Sequence, residues 1–220
     1  MRRLIRWSFV ALCATSSPLA AQIFDVPRGA NASRPGWWMS GGAGWLIAPT
    51  VLDGTTGARW DFGDGVQYRA SVEKQVSATT SLGVAISHAR LPLTWSSLAT
   101  GVPNTVCPTA CDAKADVQSA MLMYRGGDGP GFHQVLELLA GILRYGNFRA
   151  DNGGALPDDG YDMDFAYAIA YGFGYGFSTR TGITLVQDYS SVMHQRTGLA
   201  GGSGRTSHQH ITRLALRVGF

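Results

Sequence analysis

Residues 161–177 read YDMDFAYAIAYGFGYGF. The odd positions from Tyr161 to Phe177 hold only Tyr, Met, Phe and Ile. The even positions are Asp162 and Asp164, then Ala166, Ala168, Ala170, Gly172, Gly174 and Gly176. A period of two sustained over seventeen residues predicts one β-strand with two chemically distinct faces. It is far longer than the usual strand of about five to six residues. In a soluble sandwich the large residues would meet the core, and the other face would carry Lys, Glu or Thr. Ala and Gly make a poor solvent face. They make a good lining for a narrow barrel lumen, with the aromatic face turned to lipid.

The same alternation closes the sequence. Leu214, Leu216, Val218 and Phe220 alternate with Arg213, Ala215, Arg217 and Gly219. Other predicted strands are 37–47, 66–76, 82–95, 115–124, 132–148, 183–195 and 208–220. In the third, Leu82, Val84 and Ile86 are even whereas Leu91, Leu93 and Trp95 are odd, so a bulge is expected near His88 and Ala89. The phase is also uncertain near Gly141. Connections 48–65, 96–114, 149–160 and 196–207 are long. Connections 77–81, 125–131 and 178–182 are short, and the second carries the turn residues Gly126-Gly127-Asp128-Gly129-Pro130. Long–short alternation is expected of an even-stranded barrel with periplasmic turns and extracellular loops.

The final strand, ending on Phe220 behind alternating apolar residues, resembles the C-terminal signature of bacterial outer-membrane β-barrels. The mature chain as an architecture resembles the small-barrel group typified by the OmpA membrane domain and OmpX. That resemblance implies an all-β fold, an eight-stranded antiparallel up-and-down transmembrane barrel, with ten strands as the alternative. It also implies Leu214, Leu216, Val218 and Phe220 as an assembly signal. The partners implied are outer-membrane lipid and lipopolysaccharide and the barrel-assembly machinery, and the role is structural or surface-interacting through extracellular loops.

Residues 1–21 read as a signal peptide. Arg2, Arg3 and Arg6 precede an apolar run from Trp7 to Ala14, which is too short to span a bilayer, and Ala20-Ala21 offers small residues before Gln22. Leu12 before Cys13 argues against lipidation. The expected domains are thus 1–21 signal peptide, 22–35 periplasmic lead-in and 36–220 outer-membrane barrel. The chain has 18 basic and 15 acidic residues, and removing the three leader arginines leaves the two equal. Net charge therefore supports no nucleic-acid partner.

Cys107 and Cys111 lie in the second long connection and are the only cysteines left after processing. An oxidising compartment favours a disulfide between them. Arg69, Glu73, Glu137, Asp188, Arg213 and Arg217 fall on the polar faces of their strands, which predicts a lumen ion network. Pairing Gly182 with Gly219 sets a ladder in which Asp188 faces Arg213, with Arg217 as the fallback partner. His208 and His210 share an outward face and His194 points inward, so no metal site is expected, and no cofactor.

Lipid A deacylases of this barrel class place His and Ser two apart on one strand, and no such pair occurs here. Ser190 and His194 share a face but stand roughly 13 Å apart along a strand. Asp162 and Asp164 are an acidic pair near a rim, as in omptin-like proteases, but the chain is short for such a barrel. The expectation is therefore no enzyme. A small-solute channel is the alternative, and a lipid-modifying enzyme a further one.

Overall fold

The computed structural model describes residues 35–55, 57–96, 106–156, 162–195 and 206–220. The expected leader, and the lead-in as far as residue 34, lie outside the described residues. The strands are β1 (Trp37–Ile47), β2 (Thr50–Leu52), β3 (Arg59–Phe62), β4 (Gly65–Gln75), β5 (Thr80–Ser96), β6 (Ala110–Gly126), β7 (Gly131–Ala150), β8 (Asp162–Gly176), β9 (Thr181–Met193) and β10 (Thr206–Gly219). No described residue is helical.

Eight of these strands close on themselves. β1 pairs with both β4 and β10, and from β4 to β10 the neighbours follow chain order, all antiparallel. Closure satisfies every wall strand on both edges, which is the way a barrel removes exposed backbone. At the seam, Trp37 and Phe220 exchange backbone hydrogen bonds of 3.1 and 3.0 Å. The wall thus has eight strands and not ten.

β2 and β3 lie outside the wall, inside a stretch that the sequence reads as a loop. They form a hairpin that prolongs one end of the barrel. β4 pairs with β5 from Gln75↔Ser81 to Gln67↔Ala89, and β3 takes over from Phe62↔Leu93 to Arg59↔Ser96. Three and four residues are too few to show a period, so only the partner strand reveals them as strands.

The expected bulge at His88–Ala89 is absent. β5 keeps one register with β6 from Thr80↔Gly126 to Ser96↔Ala110. What changes is the medium on each side. Leu82, Val84 and Ile86 point outward and are exposed, whereas Leu91, Leu93 and Trp95 point inward and are buried. The near end, which holds both strand termini at the seam, is apolar outside and ionic inside. Along β3, β5 and β6 the far end is the reverse. There Trp60, Trp95 and Phe148 pack together, with the Trp95 ring centroid 6.1 Å and that of Phe148 4.8 Å from Trp60, while Arg90 and Asp116 pair on the outside at 2.7 Å. A strand crossing from one regime to the other moves its apolar residues to the opposite face without any slip in the chain.

A real slip occurs on β7, at Asn147 and not at Gly141. Lys114 faces Arg149 but Asp116 faces Gly146, so β7 carries one extra residue. Asn147 adopts φ 54°, a left-handed conformation that Asn tolerates better than most residues. Its amide donates to Asp116 Oδ2 at 2.8 Å, which holds the bulge.

Strand β8 behaves as its two faces suggest. Met163 to Phe177 stand outward and exposed at odd positions, and Ala166 and Ala170 are buried inward. Small residues there leave room for the charged side chains of facing strands. At Gly174 an added Cβ would lie 2.3 Å from the His133 ring.

Candidate functional site

The near half of the lumen is filled by arginines and carboxylates. Glu137 on β7 is the hub. It accepts from Arg213 at 2.6 Å and from Arg125 at 2.8 Å, and Arg69 lies 3.6 Å away. Asp188 on β9 accepts from Arg69 at 3.2 Å and from Arg213 at 3.4 Å. Nearer the seam, Arg217 donates to Glu73 at 2.7 Å and also to Asp128, and its guanidinium sits 4.0 Å over the Trp38 ring. Glu73 is further held by Ser71 at 3.0 Å and Ser81 at 2.7 Å.

These contacts tie β4, β6, β7, β9 and β10 across the lumen. Four guanidiniums, Arg69, Arg125, Arg213 and Arg217, face the four carboxylates Glu73, Asp128, Glu137 and Asp188. A buried charge demands a partner, and this set balances. The planar fork of Arg lets one side chain bridge two carboxylates, which Lys could not do as well.

The six residues expected in the lumen are all present there, and the structure brings Arg69, Glu137, Asp188 and Arg213 into one cluster. Glu73 and Arg217 form a second. Arg125 and Asp128 join them although both fall in the connection 125–131, which reads as a turn, so strand parity assigns neither of them a face. The expected β9–β10 register is two residues out. Gly182 faces Arg217 and not Gly219, and Asp188 faces Ile211. The turn between β8 and β9 is tight enough that Thr181 already pairs with Val218. Arg213 still reaches Asp188, diagonally, because its side chain is long. Its shorter contact is with Glu137, a partner on a strand that the two-strand ladder could not include.

Little space remains inside. A cavity beside Arg69, Asp188 and Ser190 measures about 30 Å³, room for a water or two. A second, about 60 Å³, opens near the seam between Trp38, Arg125, His133 and Arg217. Above the ions the lumen is closed by Leu46, Trp60, Phe62, Leu91, Tyr145 and Phe148, all buried.

The far rim holds a second polar cluster. Asp164 on β8, His194 just past β9 and Ser207 on β10 are hydrogen-bonded in series. Along the sequence the hydroxyl that shares a strand face with His194 is Ser190, four residues away. The partners come instead from the two neighbouring strands, and no sequence spacing encodes them. His208 and His210 face outward around Tyr189, with centroids 5.6 and 4.8 Å from it, so they do not converge on His194. Among the described residues no group of three or more His, Cys, Asp or Glu could hold a metal ion. Cys107 and Cys111 face each other with Cα atoms 5.8 Å apart, inside the range a disulfide spans. Leu214, Leu216, Val218 and Phe220 line the outer face of β10.

No protein-family model matches the chain, and no curated protein matches it significantly. Among solved structures it is similar to Neisserial surface protein A, with TM-score 0.49 and 13% identity over 86% of this chain and 99% of that one. It is similar to the outer membrane protein OprG from Pseudomonas aeruginosa, with TM-score 0.40 and 11% identity over 84% and 94%. It is also similar to Ail, the attachment invasion locus protein of Yersinia pestis, with TM-score 0.41 and 13% identity over 84% and 99%. The barrel itself is established by this chain's own strand pairing and not by these likenesses.

Proposed function

We propose that the chain is an integral outer-membrane β-barrel protein, exported through residues 1–21, whose lumen is closed and whose role is structural or surface-interacting through the far-end loops. The observation that carries this is the exposed apolar belt. Every wall strand contributes to it, for example Met39, Val72, Ile86, Leu122, Leu138, Phe173, Leu185 and Leu216. Soluble monomers rarely expose contiguous apolar patches above a few hundred Å². Lipid and lipopolysaccharide are the natural partners of such a belt, and the barrel-assembly machinery is the proposed reader of the outer face of β10.

The filled lumen favours this reading over a solute channel. Ions plug the near half and aromatic rings the far half. Two experiments test the reading. The native protein should sediment with outer membranes and leave them only in detergent, and release by salt or carbonate alone would refute membrane insertion. The purified protein in planar bilayers should show no steady conductance. Regular single-channel steps would refute the closed lumen.

A further inference from the structure

The rim cluster has a geometry that the lumen network does not need. His194 Nδ1 lies 2.6 Å from Asp164 Oδ2, and His194 Nε2 lies 2.8 Å from Ser207 Oγ. The other oxygen of Asp164 accepts the Gln195 backbone N–H at 2.9 Å, so the carboxylate cannot swing away. A proton on Nδ1 meets the carboxylate, which leaves Nε2 as the acceptor for the serine hydroxyl. The Tyr145 ring packs against the imidazole, with centroids 5.9 Å apart. Three strands thus hold an acid, a base and a hydroxyl in one line.

We propose that Ser207, His194 and Asp164 form a hydrolytic site for carboxylic acyl esters, independent of whether the barrel also serves as a surface scaffold. Ser207 is the nucleophile, His194 the general base and Asp164 the orienting acid. Those roles are defined by geometry and not by chain order or fold. All three residues are buried, the carboxylate most deeply. Ser207 keeps 8% of its surface, His194 5% and Asp164 1%. The carboxylate is shielded from water that would weaken its hold on the imidazole.

The chemistry balances with water alone. Ser207 Oγ adds to the ester carbonyl carbon while its proton passes to His194 Nε2. The ester C–O bond then breaks, and His194 gives that proton to the departing alcohol. Water next adds to the acyl-serine, losing a proton to His194. The carboxylic acid leaves as the proton returns to Ser207 Oγ. Gln209, the next inward residue on β10, is about 7 Å along the strand and is an amide donor on that face. Its amide nitrogen donates to Tyr145 Oη at 3.3 Å.

The test uses the folded mature chain in detergent and a fluorophosphonate probe, which phosphonylates only activated serines. Mass spectrometry of the labelled wild-type protein should find the label on Ser207 and not on Ser190 of the lumen. Asp164→Asn turns the imidazole to the wrong tautomer, and His194→Asn removes the base. Each should lower the labelling rate on the order of 10³–10⁴-fold, while the heat-dependent gel shift of a folded barrel persists. Hydrolysis of p-nitrophenyl butyrate should follow the labelling, and a parallel arm with phospholipid vesicles distinguishes a soluble ester from a membrane-lipid ester as the source. Absence of label on Ser207 in the folded wild-type protein would overturn the proposal whatever the variants do. So would hydrolysis unchanged in Ser207→Ala.

Discussion

Glu137 is the residue on which the lumen's charge balance turns. Replacing it with Gln keeps its volume and removes one negative charge facing guanidiniums at 2.6, 2.8 and 3.6 Å. Arg69, Arg125 and Arg213 would then share Asp188 and Asp128, and the network would carry one uncompensated buried charge. Breaking a buried pair in this way costs about 3–5 kcal/mol. Arg213→Gln alone leaves the opposite imbalance and should cost a similar amount. The double variant restores neutrality, with three guanidiniums and three carboxylates, so its cost should fall short of the sum of the singles by about 1–3 kcal/mol. Arg213 lies farther from Asp188, at 3.4 Å, and Asp188 is shared with Arg69 at 3.2 Å. The Asp188–Arg213 cycle should therefore show the smaller coupling. The measurement is reversible urea unfolding in lipid vesicles, followed by Trp fluorescence, on each member of both cycles. Additivity in the Glu137–Arg213 cycle to within about 0.5 kcal/mol would refute the hub. A larger coupling for Asp188–Arg213 would refute the assignment of partners.

Three further outcomes are expected. Alkylation of the unreduced, denatured mature chain should add no mass at Cys107 or Cys111, and two added groups would show both thiols free. Trp60→Ala should destabilise the barrel by about 3–5 kcal/mol, because it empties the centre of the far-end aromatic plug; a change under 1 kcal/mol in the same unfolding assay would show the plug to be loosely packed. Phe220→Ala should lower outer-membrane levels in cells more than it lowers stability in vesicles, since its backbone bonds at the seam survive while its exposed ring is lost; equal outer-membrane yield would refute an assembly role for that ring.

Residues 161–177 by themselves determined the class of this protein. A period of two that keeps rings on one side and Ala or Gly on the other describes a wall between an apolar medium and a crowded interior, and no partner strand is needed to see it. The lumen charges were legible for the same reason, because strand parity assigns a face to each residue. What parity cannot assign is the partner. Arg125 and Asp128 were invisible as network members, since one opens a glycine-rich turn and the other lies within it. The strongest partner of Arg213 proved to be Glu137 on β7, brought near only by closure. The phase change in β5 shows the limit most clearly. Two opposite hydrophobic faces in one strand look like a slip in the chain, and only the assembled barrel shows that the surroundings invert while the chain runs straight. The line from Asp164 through His194 to Ser207 is likewise a property of three strands meeting at one rim. Side-chain hydrogen bonds act over about 3 Å, and the distances that matter to them are set by the closure of the barrel and not by separation along the sequence.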